Sequence, residues 1–381
     1  MQRFRNLFFR AILLAVILGG PGWVLGQGFF EFPPASPFNR RAVQPPDSAW
    51  SYTFLAGGHL YGAHENERSI YPAASLLANF KRMSASPATF LVALGDIMRN
   101  SGDSAMIRAT ATAFAGLEMP VFNAPGNHDL RDRAAYEKAF ATGGANAFFK
   151  FPGSANQVGF FIQDDYFVIL DTEYLLEEGE SSNLFGFIDR ESKRLEKRAR
   201  RPRHVFVFSH RLLWALCESA LGPADALANE PIAGIVAQET ACKAVKAVTG
   251  LPHSGEVYWI SGDVGTHWSV PLLYGYDAAN QLHVIANGIG DTPEDVLLKV
   301  TVSPEGKVAL GTYPLSDRKW KAVESYTLDY WQAQPKSSAA GEGFWAKVIA
   351  ATSGEVFWLA LIAGMVLALG ASRLFRVFGR R

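Results

Sequence analysis

Five apolar runs in this 381-residue chain end, one after another, in side chains that hold metals or move protons. SYTFLA leads to His59, and TFLVAL leads to Asp96. A third run is followed by Asn127, His128 and Asp129, VFVFS by His210, and VYWIS by Asp263. Carboxylate, amide oxygen and imidazole together suit a divalent ion such as Mn, Zn, Fe or Mg, and affinity order alone does not choose among them. Each residue also has a plainer reading, since Asp96 and Asp129 could cap helices and Asp263 could close a turn. One or two polar strand ends are ordinary; five in series point to a shared site at the carboxyl edge of a sheet, where ligands sit in α/β folds.

The elements that must position these residues follow from the hydrophobic pattern. Strands are expected over 51–56, 89–94, 120–123, 205–208 and 257–260, each short and mostly apolar, as in a sheet covered on both faces. Helices are expected over 73–83, 104–117 and 183–200 between them. Residues 158–162 and 166–170 flank a Gln-Asp-Asp turn and read as a hairpin. Further strands near 271–275, 281–286, 295–302 and 307–313 complete one continuous α/β domain. The last turn of the 183–200 helix is strongly basic, which complements its dipole or offers an anionic contact. Trp214 and Trp268 follow two of the site runs and read as core or as pocket wall.

VALGDIMRN and NAPGNHDL resemble the second and third sequence blocks of the calcineurin-like metallophosphoesterases. The order also matches: a strand-end His, GD, GNHD, the His of VFVFSH, then the glycine motif WISGDVG, with FVILDTE resembling the central strand. The resemblance spans about residues 51–315. It implies a four-layer sandwich of two mixed β-sheets flanked by helices, and two metals bridged by a carboxylate. By motif position Asp96 is that bridge, while Asn127, His210 and Asp263 complete one metal site and His59 lies beside the other. His128 becomes the acid that protonates the leaving oxygen, held by Asp129. The implied reaction is hydrolysis of a phosphomonoester or phosphodiester by metal-bound hydroxide. Arg99 and Asn100 could contact phosphate. Two departures stand out: Gly57 and Gly265 occupy positions where the family carries ligands, and Asp263 stands where a His is expected. Both losses fall on one metal, so one tightly held ion, with at most a weak second one, is expected. His64, Glu65, Glu67 or His267 could substitute for the missing ligands.

Two other readings compete with the enzyme: a catalytically depleted binding protein, and a scaffold of the cell envelope. Retained His128 and Asp129 favour the enzyme; Gly57 and Gly265 favour the binder. Thirty-six basic and 36 acidic residues balance, so no net field recruits nucleic acid. The expected partners are a phosphorylated small molecule, lipid or glycan, and a membrane. Residues 1–26 read as a signal peptide or N-terminal anchor, with arginines before a short apolar run. Residues 27–48 read as a Pro-rich tether, 49–315 as the phosphoesterase domain and 316–354 as a linker. The uncharged stretch within 355–373 reads as a transmembrane helix, and 374–381 as a basic cytoplasmic tail. That arrangement puts the globular domain outside the cytoplasm, periplasmic or extracellular. There a disulfide between Cys217 and Cys242 becomes possible.

Overall fold

Runs that are apolar at every position need cover on both faces, and the chain supplies it with two stacked sheets and two layers of helix. The computed structural model describes residues 35–36, 38–43, 51–62, 72–140, 156–217, 222–266 and 270–334. One sheet has β1 (Tyr52–Gly57), β2 (Phe90–Ala93) and β3 (Val121–Asn123) running parallel. Its other side adds the antiparallel strands β10 (Val296–Val302) and β11 (Val308–Pro314). The second sheet runs in the order β4 (Val158–Ile162), β5 (Asp165–Ile169), β6 (Val205–Ser209), β7 (Val257–Ser261), β9 (Leu282–Asn287), β8 (Leu272–Asp277). Its four inner strands are parallel, and the edge strands β4 and β8 are antiparallel.

The period-2 alternation of a strand assigns each side chain to a layer. Phe54, Phe90 and Val92 point between the sheets, where they meet Phe167, Phe206 and Phe208. The rings of Phe54 and Phe90 stack at 5.2 Å, and Phe206 meets Phe54 edge-on at 5.3 Å. The opposite residues Leu55, Leu91 and Ala93 face α1 (Ala74–Ser84), α2 (Ser104–Ala115) and α3 (Arg133–Phe140). On the other sheet, Val205, Val207 and Trp259 face α4 (Ser181–Glu196) and α5 (Gln238–Thr249). This is the α/β sandwich of two mixed sheets that the resemblance implied.

Several expectations needed adjustment. The helix read over 183–200 spans Ser181–Glu196, and the basic run beyond it finds other partners. Arg198 lies 3.9 Å over the Phe161 ring, and Arg203 pairs with the buried Asp165 at 2.6 Å. Glu191, the acidic residue on that helix's apolar face, accepts hydrogen bonds from Tyr166 and Arg194. Part of the segment read as a linker packs against the domain. Val323, Tyr326 and Leu328 are buried, and Trp331 at α6 (Leu328–Ala333) donates to the Leu272 carbonyl at 2.7 Å. Part of the segment read as a tether packs too: Asn39 donates to the carbonyls of Leu117 and Met119 beyond α2. Among the described residues no helix is long and apolar enough to cross a membrane. The signal or anchor, the stretch within 355–373 and the basic tail lie outside the described residues.

Candidate metal centre

β1, β2 and β3 are parallel, as are β6 and β7, so the loops leaving all five emerge at one end of the sandwich. There the two sheets touch backbone to backbone. A Cβ on Gly262 would sit 1.9 Å from the Leu94 carbonyl oxygen, and one on Gly58 would sit 2.3 Å from that of Gly262. Only glycine permits this approach, and it brings the strand ends of both sheets within side-chain reach. His210, from the second sheet, donates through Nδ1 to the Leu94 carbonyl of the first at 2.9 Å. That bond leaves the Nε2 lone pair facing the site. Gly95 and Gly126 make room for the ring and for Asp96: a Cβ at either would come within 2.4 Å of His210 Nδ1 or Asp96 Oδ1.

Around His210 Nε2 stand Asn127 Oδ1 at 3.2 Å, Asp96 Oδ2 at 3.7 Å and Asp263 Oδ1 at 3.9 Å. Donors that share one ion, each about 2.1 Å from it, lie roughly 3.0–4.2 Å apart, so these separations fit. His59 Nε2 is 3.6 Å from Asp96 Oδ2, and its Nδ1 meets the Thr266 hydroxyl at 2.9 Å. His59 and Asp96 both adopt φ of 55°, a left-handed conformation that non-glycine residues rarely take outside functional sites. Among the described residues, no group of three or more His, Cys, Asp and Glu side chains encloses a metal point on its own. The arrangement relies on the Asn127 amide, and Asp263 is drawn toward Arg211.

The buried charge supports a cation. Asp96, Asp263 and Glu173 are 2%, 2% and 5% exposed, and Arg211 is 1% exposed. With the fully buried Asp129 they make four carboxylates beside one guanidinium, an excess of negative charge that a bound cation would offset. Without it, burial pushes Asp96 up to about 6, against the pull of His210. Burial also raises Asp263, opposed by His210 and Arg211. For His210, burial acts to lower the pKa, but the charges of Asp96 and Asp263 prevail and raise it.

Asp129 does not hold His128. Its two oxygens accept from the backbone N–H groups of Asp96, Ile97, Met98 and Gly126 at 2.8–3.3 Å, so it organises both loops rather than a ring. His128 Nδ1 instead bonds the Arg99 carbonyl at 2.8 Å, and burial lowers the pKa of the ring. Its Nε2 lies 3.5 Å from the Tyr61 hydroxyl. The Tyr61 ring sits 4.4 Å from His59 and 5.0 Å from His128. Asn100 accepts from the Gly102 N–H and closes a turn. Trp214 is core, its indole bonded to Ser261. Trp268, His64, Glu65, Glu67 and His267 lie outside the described residues.

At the two departures the space has closed. A Cβ at Gly57 would meet Leu297 at 2.5 Å, and Asn287 fills the adjoining space. Gly265 has φ of 107°, and a Cβ there would strike the Gly288 backbone at 2.6 Å. Three residues of the site escaped the sequence reading: Arg211, Glu173 and Glu230. Arg211 directly follows His210 in SHR, and Glu173 closes FVILDTE, but their pairing spans 38 residues. The Cys217–Cys242 disulfide forms, with Cα atoms 5.0 Å apart, and ties the loop after His210 to α5.

No protein-family model and no curated protein sequence matches the chain. Solved structures do. A purple acid phosphatase from yellow lupin (Lupinus luteus) seeds superposes with a TM-score of 0.50 at 14% identity. The match covers 74% of this chain and 54% of the lupin protein. The fold is that of a metallophosphoesterase. A dimetal phosphatase from zebrafish (Danio rerio) also matches at 15% identity and a TM-score of 0.47, covering 71% of this chain and 99% of that one.

Proposed function

We propose that this chain is a metal-dependent phosphoesterase acting on a phosphomonoester or phosphodiester. It would work outside the cytoplasm, anchored to a membrane through the stretch within 355–373. The observation that carries the reading is the convergence of Asp96, Asn127 and Asp263 on the Nε2 of His210, at separations one ion can span. A divalent ion held there would acidify a water and neutralise phosphoryl charge. The protein's own part is positional. His210 is aimed by the Leu94 carbonyl, and Asp96 is fixed through Oδ1 by the His128 N–H at 3.0 Å. His128 donates through Nδ1 to the Arg99 carbonyl, so Nε2 is the nitrogen that would take up a proton and, as the imidazolium, pass it to a leaving oxygen. The closed space at Gly57 and Gly265 supports one tightly bound ion, with any second one held weakly.

The same closure favours a second reading, a binding protein that holds an ion and a phosphorylated ligand without cutting it. Turnover of aryl phosphate mono- and diesters with Mn, Zn, Fe or Mg added in turn separates the two. The enzyme reading expects turnover with at least one metal, abolished in Asp96→Ala. No turnover with any metal, in protein that still binds the ion, selects the binder.

A further inference from the structure

Arg211 is enclosed beside the candidate metal centre, and each of its five N–H bonds has an acceptor. Nε and Nη2 grip Glu173 at 2.8 and 3.0 Å. Nη2 also reaches the Glu230 carboxylate at 2.8 Å. Nη1 bonds the Glu230 carbonyl at 3.2 Å and Asp263 Oδ2 at 3.0 Å. A guanidinium with every donor engaged cannot also receive a phosphate. Its consequence falls on Asp263. With Oδ2 committed to Arg211, only Oδ1 is presented toward His210. Asp96 is restricted in the same way, its Oδ1 accepting the His128 N–H.

The four donors therefore offer one atom each: two single carboxylate oxygens, one amide oxygen and one imidazole nitrogen. Small ions of four to six coordination accept such a set, with water filling the rest. Calcium, which gathers six to eight oxygens and often a two-oxygen carboxylate, is poorly served. We infer that Arg211 is a positioning residue that sets metal selectivity, excluding calcium by holding Asp263 to one-oxygen ligation. This rests on the metal-dependent reading above. Glu173 and Glu230 in turn fix Arg211, which anchors Asp263 to the turn after β5 and to the segment leading to α5.

The test compares Mn2+ and Ca2+ binding to the purified full-length protein by titration calorimetry, with turnover not used. Removing Arg211 alone would leave Glu173 buried without its partner, so the variant is Arg211→Met with Glu173→Gln. The wild type is expected to bind Mn2+ with little competition from Ca2+. In the double variant the Mn2+ preference should fall by about tenfold to a hundredfold, the range in which residues behind metal ligands act. An unchanged Mn2+/Ca2+ ratio, with both affinities lowered together, would show a merely structural role and overturn the inference while leaving the metal reading intact. Should the double variant not fold, X-ray absorption of the Mn2+-loaded wild type decides. One-oxygen carboxylate ligation is expected, and a two-oxygen carboxylate would overturn the inference. A wild type that binds neither ion would instead refute the metal reading itself.

Discussion

Asp129 and His128 are neighbours in the sequence with unlike tasks, and the difference predicts separable failures. The Asp129 carboxylate accepts four backbone N–H bonds from the loops after β2 and β3. An asparagine there would present one oxygen and an amide group that repels the remaining donors. Asp129→Asn should therefore cost about 3 kcal/mol or more of stability by denaturant unfolding, and weaken metal binding along with it. His128 contributes one ring bond to a carbonyl. His128→Ala should leave metal content unchanged and lower kcat by roughly a hundredfold to ten-thousandfold. Steady-state kinetics beside elemental analysis would distinguish the two. The candidate ligands were legible because each sits just past an apolar run. Arg211 and Glu173 were not, because a charge that is fully buried looks in a sequence like any surface charge, and its partners lie 38 and 52 positions away. The role of Asp129 was misread for a related reason: GNHD does not reveal which backbone amides fold back over a carboxylate.

At the scale of elements, the strands were legible to within a residue or two, most plainly the inner ones, which are buried on both faces. Helix α5 was passed over: its buried residues are Ala241, Ala244, Val245 and Val248, a modest apolar stripe among Lys and Glu. The Cys217–Cys242 bond pins that helix beneath the loop carrying His210, closing a separation of 25 residues. Chain-entropy reasoning gives such a loop about 3–4 kcal/mol. The Cys217→Ser, Cys242→Ser protein should lose stability of that order in chemical denaturation and bind metal more weakly. At the opposite end of the second sheet, His283 stacks on Tyr258 at 4.4 Å and bonds the Tyr274 hydroxyl at 2.9 Å. Burial lowers its pKa, with Glu256 opposing. The unfolded chain therefore takes up the proton first as pH falls. The contribution of His283 is fully present above about 6.5, the ordinary imidazole value, and is lost as pH drops through its lower folded value. His283→Gln should flatten that part of the dependence of melting temperature on pH.

For the whole molecule, the decisive feature is that two sheets meet at the ends from which their loops emerge. Glycines at 58, 95, 126 and 262 let backbone and ligand loops interlock where any side chain would collide. That reach across sheets explains why side chains scattered from residue 96 to residue 263 meet at one place. Residues 316–334 belong to the same body. Removing residues 316–381 would strip Val323, Tyr326 and Leu328 from the edge of the second sheet. Each fully buried apolar side chain is worth about 1.5–3 kcal/mol, so the truncated chain should unfold at markedly lower denaturant than one ending at Gln334. Anomalous scattering from crystals of the protein loaded with Mn2+ tests the central claim most directly. One strong peak within coordinating distance of Asp96 Oδ2, Asn127 Oδ1, His210 Nε2 and Asp263 Oδ1 is the predicted result. No peak there, or an ion bound only elsewhere on the molecule, would contradict it.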